Sequence, residues 1–174
     1  MPISKMQSES VNLADNFAFT GTVTGAGGGK VLQMIRAAAA PRLSSSVGSG
    51  TYVYSGLTAS ITPSSSSSKI LIFNQINTGG TAATYHYNLI KRSIGGGTEA
   101  GITGANQYGN TFIYKAGSEW LTLSASLIDE PATTSAIIYK IYYGVSNTST
   151  WTFGWNSSGG GDNGNSLILI ELGP

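Results

Sequence analysis

Side chains able to carry out acid–base or metal chemistry are few in this sequence. His86 is the one histidine and cysteine is absent, which excludes a histidine pair, a thiolate nucleophile and a cysteine-bound metal. A histidine acting as a general base needs a positioned partner, and His86 lies in a tyrosine-rich stretch that predicts a strand, so we assign it a structural role. Asp129 and Glu130 are adjacent, and neighbours on a strand point to opposite faces. Turn chemistry before Pro131 therefore accounts for these acids better than a catalytic pair does.

Three weaker motifs also lack the context that their chemistry needs. The stretch GAGGGK at residues 25–30 is similar to a phosphate-binding loop, but a predicted strand rather than a helix follows it. Asp162 is a single acid in a glycine-rich loop, whereas calcium needs several oxygen ligands. Glycosylation sequons at Asn147 and Asn156 are expected by chance in a chain so rich in Asn, Ser and Thr. We therefore predict a protein that is not an enzyme and that binds no cofactor or metal.

The composition also excludes some classes of binding protein. Charged residues make up 10% of the chain and the formal net charge is +1, so no electrostatic footprint for nucleic acid or a membrane surface is present. No apolar run approaches the roughly 20 residues that span a bilayer, and the first ten residues lack the apolar core of a secretory signal. We expect a protein that is made in a cytoplasm and binds neither nucleic acid nor membrane.

The elements that must position any functional residue are strands. Residues 70–73 (ILIF) follow the serine-rich bend 64–68, and this short uninterrupted apolar run predicts a strand covered on both faces. Residues 119–128 form the clearest alternating pattern, with Leu121, Leu123, Ala125 and Leu127 on one face and Thr122, Ser124 and Ser126 on the other. Further strands are predicted at 30–36, 51–54, 57–62, 84–92, 110–114, 135–143, 151–155 and 166–172. With no helical period, this pattern predicts an all-β protein, an antiparallel jelly-roll sandwich with an extended N-terminal arm.

The arm comprises residues 1–29 and the head domain residues 30–174. The arm ends in TGTVTGAGGG at residues 20–29, a hinge because consecutive glycines are costly to order. Its apolar residues are Val11, Leu13, Phe17 and Phe19. Two interpretations remain open, a flexible terminus and a segment that becomes ordered on another protein. The second makes these four residues the candidate anchor.

Tyrosines on the predicted strands are the other residues to explain. The candidates are Tyr85, Tyr87, Tyr139, Tyr142 and Tyr143. They either fill the core of the sandwich, since aromatic residues favour strands, or form a subunit interface, where tyrosine is enriched and charge is depleted. Tyr142 and Tyr143 cannot both point inward on a regular strand. Because the low charge leaves little to solubilise an outward aromatic face, we expect an oligomer.

The order of these segments resembles the C-terminal head modules of bacteriophage fibre and virion decoration proteins. The residues that carry the resemblance are ITPSSSSSKILI at 61–72, LIKR at 89–92 with the GGG that follows, and WLTLSASLIDEPATTSAIIYKIYY at 120–143, before the aliphatic C-terminal strand. It covers residues 30–174. Such heads are jelly rolls of the tumour-necrosis-factor and complement-head type. The resemblance implies a homotrimer with one sheet of each subunit near the three-fold axis, and an arm attached to a capsid, tail or baseplate protein of the same virion.

The implied role is that of a capsid decoration protein, a cement protein or head fibre, on the virion surface after assembly in the host bacterial cytoplasm. The alternative is a short tail fibre or receptor-binding protein whose loops, at 93–109 and 156–165, contact a host surface glycan or protein. A carbohydrate-active enzyme or lectin on the same fold ranks below both, because carboxylates are not clustered. A cellular signalling jelly roll ranks lower still without a secretory signal.

Overall fold

The computed structural model describes residues 30–38, 43–80, 82–102, 109–154 and 164–174. Within these ranges the secondary structure consists of strands, with no helix. The strands are β1 (Val31–Arg36), β2 (Leu43–Val47), β3 (Tyr52–Ile61), β4 (Lys69–Gly80), β5 (Thr84–Ile94), β6 (Ala100–Gly101), β7 (Thr111–Lys115), β8 (Trp120–Asp129), β9 (Ile137–Val145), β10 (Ser149–Phe153) and β11 (Ser166–Leu172). No helix long and apolar enough to span a membrane occurs in this part of the chain.

The main strands pair from the outside of the chain inward, which is the winding of a jelly roll. The antiparallel pairs are β1 with β11, β3 with β9, β4 with β8 and β5 with β7. The first and third pairs lie in a six-stranded sheet, in which β10 pairs with β4 beyond the end of β11 and β2 pairs with β10. The second and fourth pairs lie in a five-stranded sheet, in which β6 also pairs with β5. The prediction of an all-β antiparallel sandwich is confirmed.

The core lies between the two sheets and follows the period-2 pattern of the strands. Along β8, Leu123 and Ala125 are buried whereas Thr122 and Ser124 are exposed, as the alternation predicts. Ile90 of β5 and Ile141 of β9 are opposite each other in register and fully buried. Complete burial of each such aliphatic side chain contributes about 1.5–3 kcal/mol. Packing of the inward faces therefore holds the two sheets together.

The apolar run in β4 differs from the expectation. Ile70 and Ile72 are fully buried, but Leu71 is half-buried and Phe73 is 41% exposed. The expectation that this strand is covered on both faces is therefore wrong for the single chain, because the second face of the six-stranded sheet has no layer packed on it within the described residues. The same holds for β11, where Leu169 is buried and Ile170 is half-buried.

Several boundaries also differ. The segment between the predicted strands 30–36 and 51–54 contains a further strand, β2. The predicted strands 51–54 and 57–62 are one strand, β3, with a register shift between Tyr54 and Thr58. Gly56 in that shift has φ +83°, a value that glycine adopts without steric cost. The strand predicted from residues 70–73 extends to Gly80, and it continues in register with β8 as far as Gly79.

Candidate functional site

His86 lies in the core rather than at a surface. It is fully buried, and His86 Nδ1 forms a hydrogen bond with Tyr143 Oη. Thr78 completes the cluster, donating from Oγ1 to Tyr143 Oη at 2.6 Å. Burial, assisted by the charge of Lys115, lowers the pKa of His86 to about 4, so the imidazole is neutral near pH 7. The cluster joins the two sheets, which is the structural role predicted for His86.

Lys115 is a second buried basic group in this region. Its side chain is fully buried, and Nζ donates a hydrogen bond to the carbonyl oxygen of Gly80 at 2.9 Å. Burial lowers the pKa of the amine. Since Lys115 belongs to β7 and Gly80 ends β4, this bond ties the edge of one sheet to the end of a strand in the other.

Asp129 and Glu130 have separate partners. Asp129 is 3% exposed at the end of β8, forms an ion pair with Arg92 and accepts a hydrogen bond from Tyr139 Oη at 2.7 Å. Glu130 forms a surface ion pair with Lys69 at 2.7 Å. The two carboxylates therefore face different partners, as expected for neighbours at the end of a strand. The prediction of a turn role for Asp129 is wrong, because the residue closes a buried polar bridge between the sheets.

Glu171 occupies a comparable buried position in β11. Its carboxylate accepts hydrogen bonds from Gln33 Nε2, and from the backbone amide and Oγ of Ser64 at 2.7 Å each. Desolvation raises the pKa of this carboxyl group, but the hydrogen bonds outweigh it and lower the pKa to about 2. The serine-rich bend is therefore attached to the last strand. In the described part of the chain, no group of His, Asp and Glu is arranged to hold a metal ion.

The outer face of the six-stranded sheet carries a row of aliphatic side chains that are in register across four strands. This aliphatic row consists of Met34, Ile170, Leu71 and Ile128. Met34 is 66% exposed and Ile128 is 56% exposed. Phe73 lies two residues beyond Leu71 on the same face. The row is thus a continuous apolar surface assembled from strands that are far apart in sequence.

The outer face of the five-stranded sheet carries aromatic rings instead. Tyr52, Gly144, Tyr87 and Phe112 are in register across four strands, and Tyr85 and Tyr114 form the next pair. Ring centroids are 6.3 Å apart for Tyr52 and Tyr87, 6.1 Å for Tyr85 and Phe112, and 5.0 Å for Tyr85 and Tyr114. We call the rings of Tyr52, Tyr87, Tyr85, Phe112 and Tyr114 the aromatic strip.

The five tyrosines predicted as interface candidates divide between core and surface. Tyr139 and Tyr143 have no exposed area and Tyr87 is 4% exposed in the single chain, so neighbouring subunits have almost nothing of them left to cover. Tyr139 and Tyr143 are core residues, whereas Tyr87 lies on the outer face of the five-stranded sheet and is covered there by its neighbours, among them Tyr52. Tyr85 and Tyr142 reach the outer face, and Tyr142 donates a hydrogen bond to Glu99. The arm residues Val11, Leu13, Phe17 and Phe19 lie outside the described residues.

Sequence reasoning missed the aliphatic row and three of the five rings of the aromatic strip. Met34 and Ile128 lie in different hairpins, and the pairing of β1, β11, β4 and β8 brings them together. Phe112 and Tyr114 lie in a strand that the sequence does predict, and their spacing of two residues is the signal that they share a face.

Comparison with known proteins assigns no family to this chain. No family model and no curated protein sequence matches the chain. Among solved structures, the chain is similar to one in a structure of infectious bursal disease virus, Gx strain, with 11% sequence identity and a TM-score of 0.43. The match covers 82% of this chain and 37% of that chain, so this chain spans little more than a third of the other's length.

Proposed function

We propose that this protein is a structural component of a bacteriophage virion, a homotrimeric capsid decoration protein of the cement or head-fibre kind. In this proposal, residues 1–29 anchor it to the particle and the jelly-roll head faces outward. The resemblance of residues 30–174 to phage head modules supplies the class of protein. The single observation that carries the assembly is the aliphatic row on the outer face of the six-stranded sheet.

The chemistry of the aliphatic row favours another copy of the same chain as its cover. Its four side chains offer no hydrogen-bonding group, so they gain only from contact with a similarly apolar surface. Polar groups flank the row, with Arg36 on one side and the Lys69–Glu130 ion pair on the other. An apolar centre with a polar rim is typical of subunit interfaces. Closed cyclic symmetry places the same surface of every copy at the axis.

The assembly is tested by light scattering on the full chain. We expect the wild-type protein to have the mass of a trimer, and Met34→Lys and Ile128→Lys to reduce it to that of a monomer while the far-ultraviolet circular dichroism stays unchanged. Ser60→Lys is the matched control, because it adds the same charge to an exposed strand position on the opposite sheet. A monomeric wild-type protein, or lysine variants that remain trimeric, would overturn the assembly.

The anchoring role of the arm is tested separately. We expect deletion of residues 1–29 to leave the trimer intact and to abolish binding to particles that lack the protein. Adding back the full-length protein should protect such particles against heat or osmotic shock. The alternative, a short tail fibre or receptor-binding protein, predicts few copies per particle, no protection of the capsid, and antibodies against the head that block adsorption.

A further inference from the structure

We propose that the aromatic strip on the outer face of the five-stranded sheet is a binding surface for a carbohydrate chain. This goes beyond the structural role above and does not depend on it. An assembly that closes on the aliphatic row leaves this face outward, because the two outer faces of a sandwich point away from each other. Each copy would then present one such surface.

A glycine at the centre of the strip makes room for one of its rings. Gly144 lies between Tyr52 and Tyr87 in register. A Cβ atom at residue 144 would lie 3.2 Å and 3.3 Å from two carbons of the Tyr52 ring and 2.9 Å from the carbonyl oxygen of Thr51. Glycine therefore leaves the gap that the Tyr52 ring occupies. At a strand spacing of about 4.8 Å, the four positions from Tyr52 to Phe112 span about 14 Å.

The outer part of the strip is exposed and pre-arranged. Phe112 is 57% exposed, Tyr114 is 53% exposed and Tyr85 is 43% exposed. Each of the first two contacts the ring of Tyr85, so the three rings hold one another in place. Tyrosine also supplies a large contact area with little side-chain entropy to lose. A surface ordered before binding avoids much of the entropic cost of association.

The chemistry of the strip fits a sugar chain. A pyranose ring has an apolar face of C–H groups and an edge of hydroxyl groups, so it needs flat apolar surface beside hydrogen-bonding groups. The tyrosines of the strip carry both on one side chain. Next to Tyr85, the half-buried Ser146 adds a hydroxyl group, whose Oγ accepts the backbone N–H of Tyr85 at 3.1 Å.

Nucleic acid is the other common ligand of stacked aromatic residues, and the charges disfavour it. Single-stranded nucleic acid requires cationic groups along its backbone as well as stacking platforms. No residue of the strip is charged. On the same sheet face outside the strip, Lys140 pairs with Glu99 and Lys91 lies over the Tyr142 ring. The formal net charge of the whole chain is +1. The strip therefore matches a ligand that stacks and hydrogen-bonds without needing charge.

The experiment measures binding of the full-length protein to immobilised bacterial surface polysaccharides, each tested before and after periodate oxidation and before and after protease treatment. We expect retention by at least one polysaccharide, lost after periodate and unaffected by protease. No retention on the panel would overturn the proposal. Retention that protease removes would identify a protein partner and overturn it equally.

Variants then locate the site. We expect Phe112→Ala combined with Tyr114→Ala to weaken retention at least tenfold, and Gly144→Ala to weaken it several-fold by displacing the Tyr52 ring. Ile138→Ala is the matched control, because Ile138 is an exposed apolar residue on the same sheet face, 37% exposed and outside the strip. Unchanged retention in the double variant would overturn the proposal. Light scattering on every variant separates loss of sugar binding from loss of the trimer.

Discussion

The two outer faces of this sandwich are built in the same way and carry different chemistry. Each face has four positions in register across four strands, from β1 to β8 in one sheet and from β3 to β7 in the other. In the aliphatic row, Met34 and Ile128 carry no hydrogen-bonding group and are more than half exposed. In the aromatic strip the rings contact one another and four of the five are phenols.

The difference shows how one fold supports two kinds of association. Flexible aliphatic side chains gain by being covered, and any similarly apolar surface of matching shape can cover them. Interlocked aromatic rings lose less entropy on binding, and their hydroxyl groups add directional recognition. We infer that the first face serves assembly and the second serves recognition. The predictions that follow perturb both faces together, then one sheet, then the rim of one face.

The largest expected effect comes from Asp129, because it connects both sheets. Asp129→Asn leaves the buried guanidinium of Arg92 without its counter-charge, and breaking a buried ion pair in this way costs about 3–5 kcal/mol. Since Arg92 is about a quarter exposed, we expect about 3 kcal/mol. Urea denaturation should report the loss, and trimer formation and sugar binding should both fall at urea concentrations where the wild-type protein keeps them. A variant as stable as the wild type would show that the pair does not join the two faces.

The same residue shows what the sequence could and could not predict. The rule that neighbours on a strand point to opposite faces correctly separated Asp129 from Glu130. The alternating pattern in 119–128 correctly identified the leucines that point inward. Local chemistry suggested a turn for Asp129, since the partners that bury it, Arg92 and Tyr139, come from β5 and β9. A local sequence pattern does not reveal which residues from distant strands contact each other in the fold.

The outer faces illustrate the same limit in another way. Because neighbouring side chains on a strand alternate, the sequence correctly placed Tyr142 and Tyr143 on opposite faces. Only the register of β9 with β3 and β5 decides that Tyr143 is the one that points inward. The run 70–73 predicted a strand and did not reveal whether its second face is covered by the same chain. The exposure of Phe73 shows that the described residues leave it open.

Protonation of His86, behind the aromatic strip, is expected to lower the free energy of unfolding only at acid pH. His86 has its pKa lowered to about 4 in the folded protein by burial and by Lys115, whereas in the unfolded chain the pKa is about 6.5. The unfolded state therefore takes up a proton first as pH falls. The contribution of neutral His86 to the free energy of unfolding is fully present above about pH 6.5 and is lost progressively as the pH falls to about 4. His86→Gln should flatten this part of the pH profile of the free energy of unfolding.

Glu171 lies in β11, the strand that carries Ile170, and provides the matching control. Its pKa is lowered to about 2 by the hydrogen bonds from Ser64 and Gln33, so its contribution is present above about pH 4.5 and is lost below it. Glu171→Gln should therefore change the profile only at the acid end. If His86→Gln left the slope between pH 6.5 and pH 4 unchanged, another group would have to account for it.

The smallest effect is expected at the rim of the aliphatic row. Glu130 pairs with Lys69 at 2.7 Å, and their side chains are 66% and 53% exposed. Exposed ion pairs contribute about 0–1 kcal/mol because water and salt screen them. We expect Glu130→Gln to change the free energy of unfolding by about 0.5 kcal/mol or less and to leave the light-scattering mass unchanged. A trimer that dissociates in this variant would mean that rim charges, rather than the aliphatic row, hold the subunits together, and the contrast between the two faces would then rest on electrostatics.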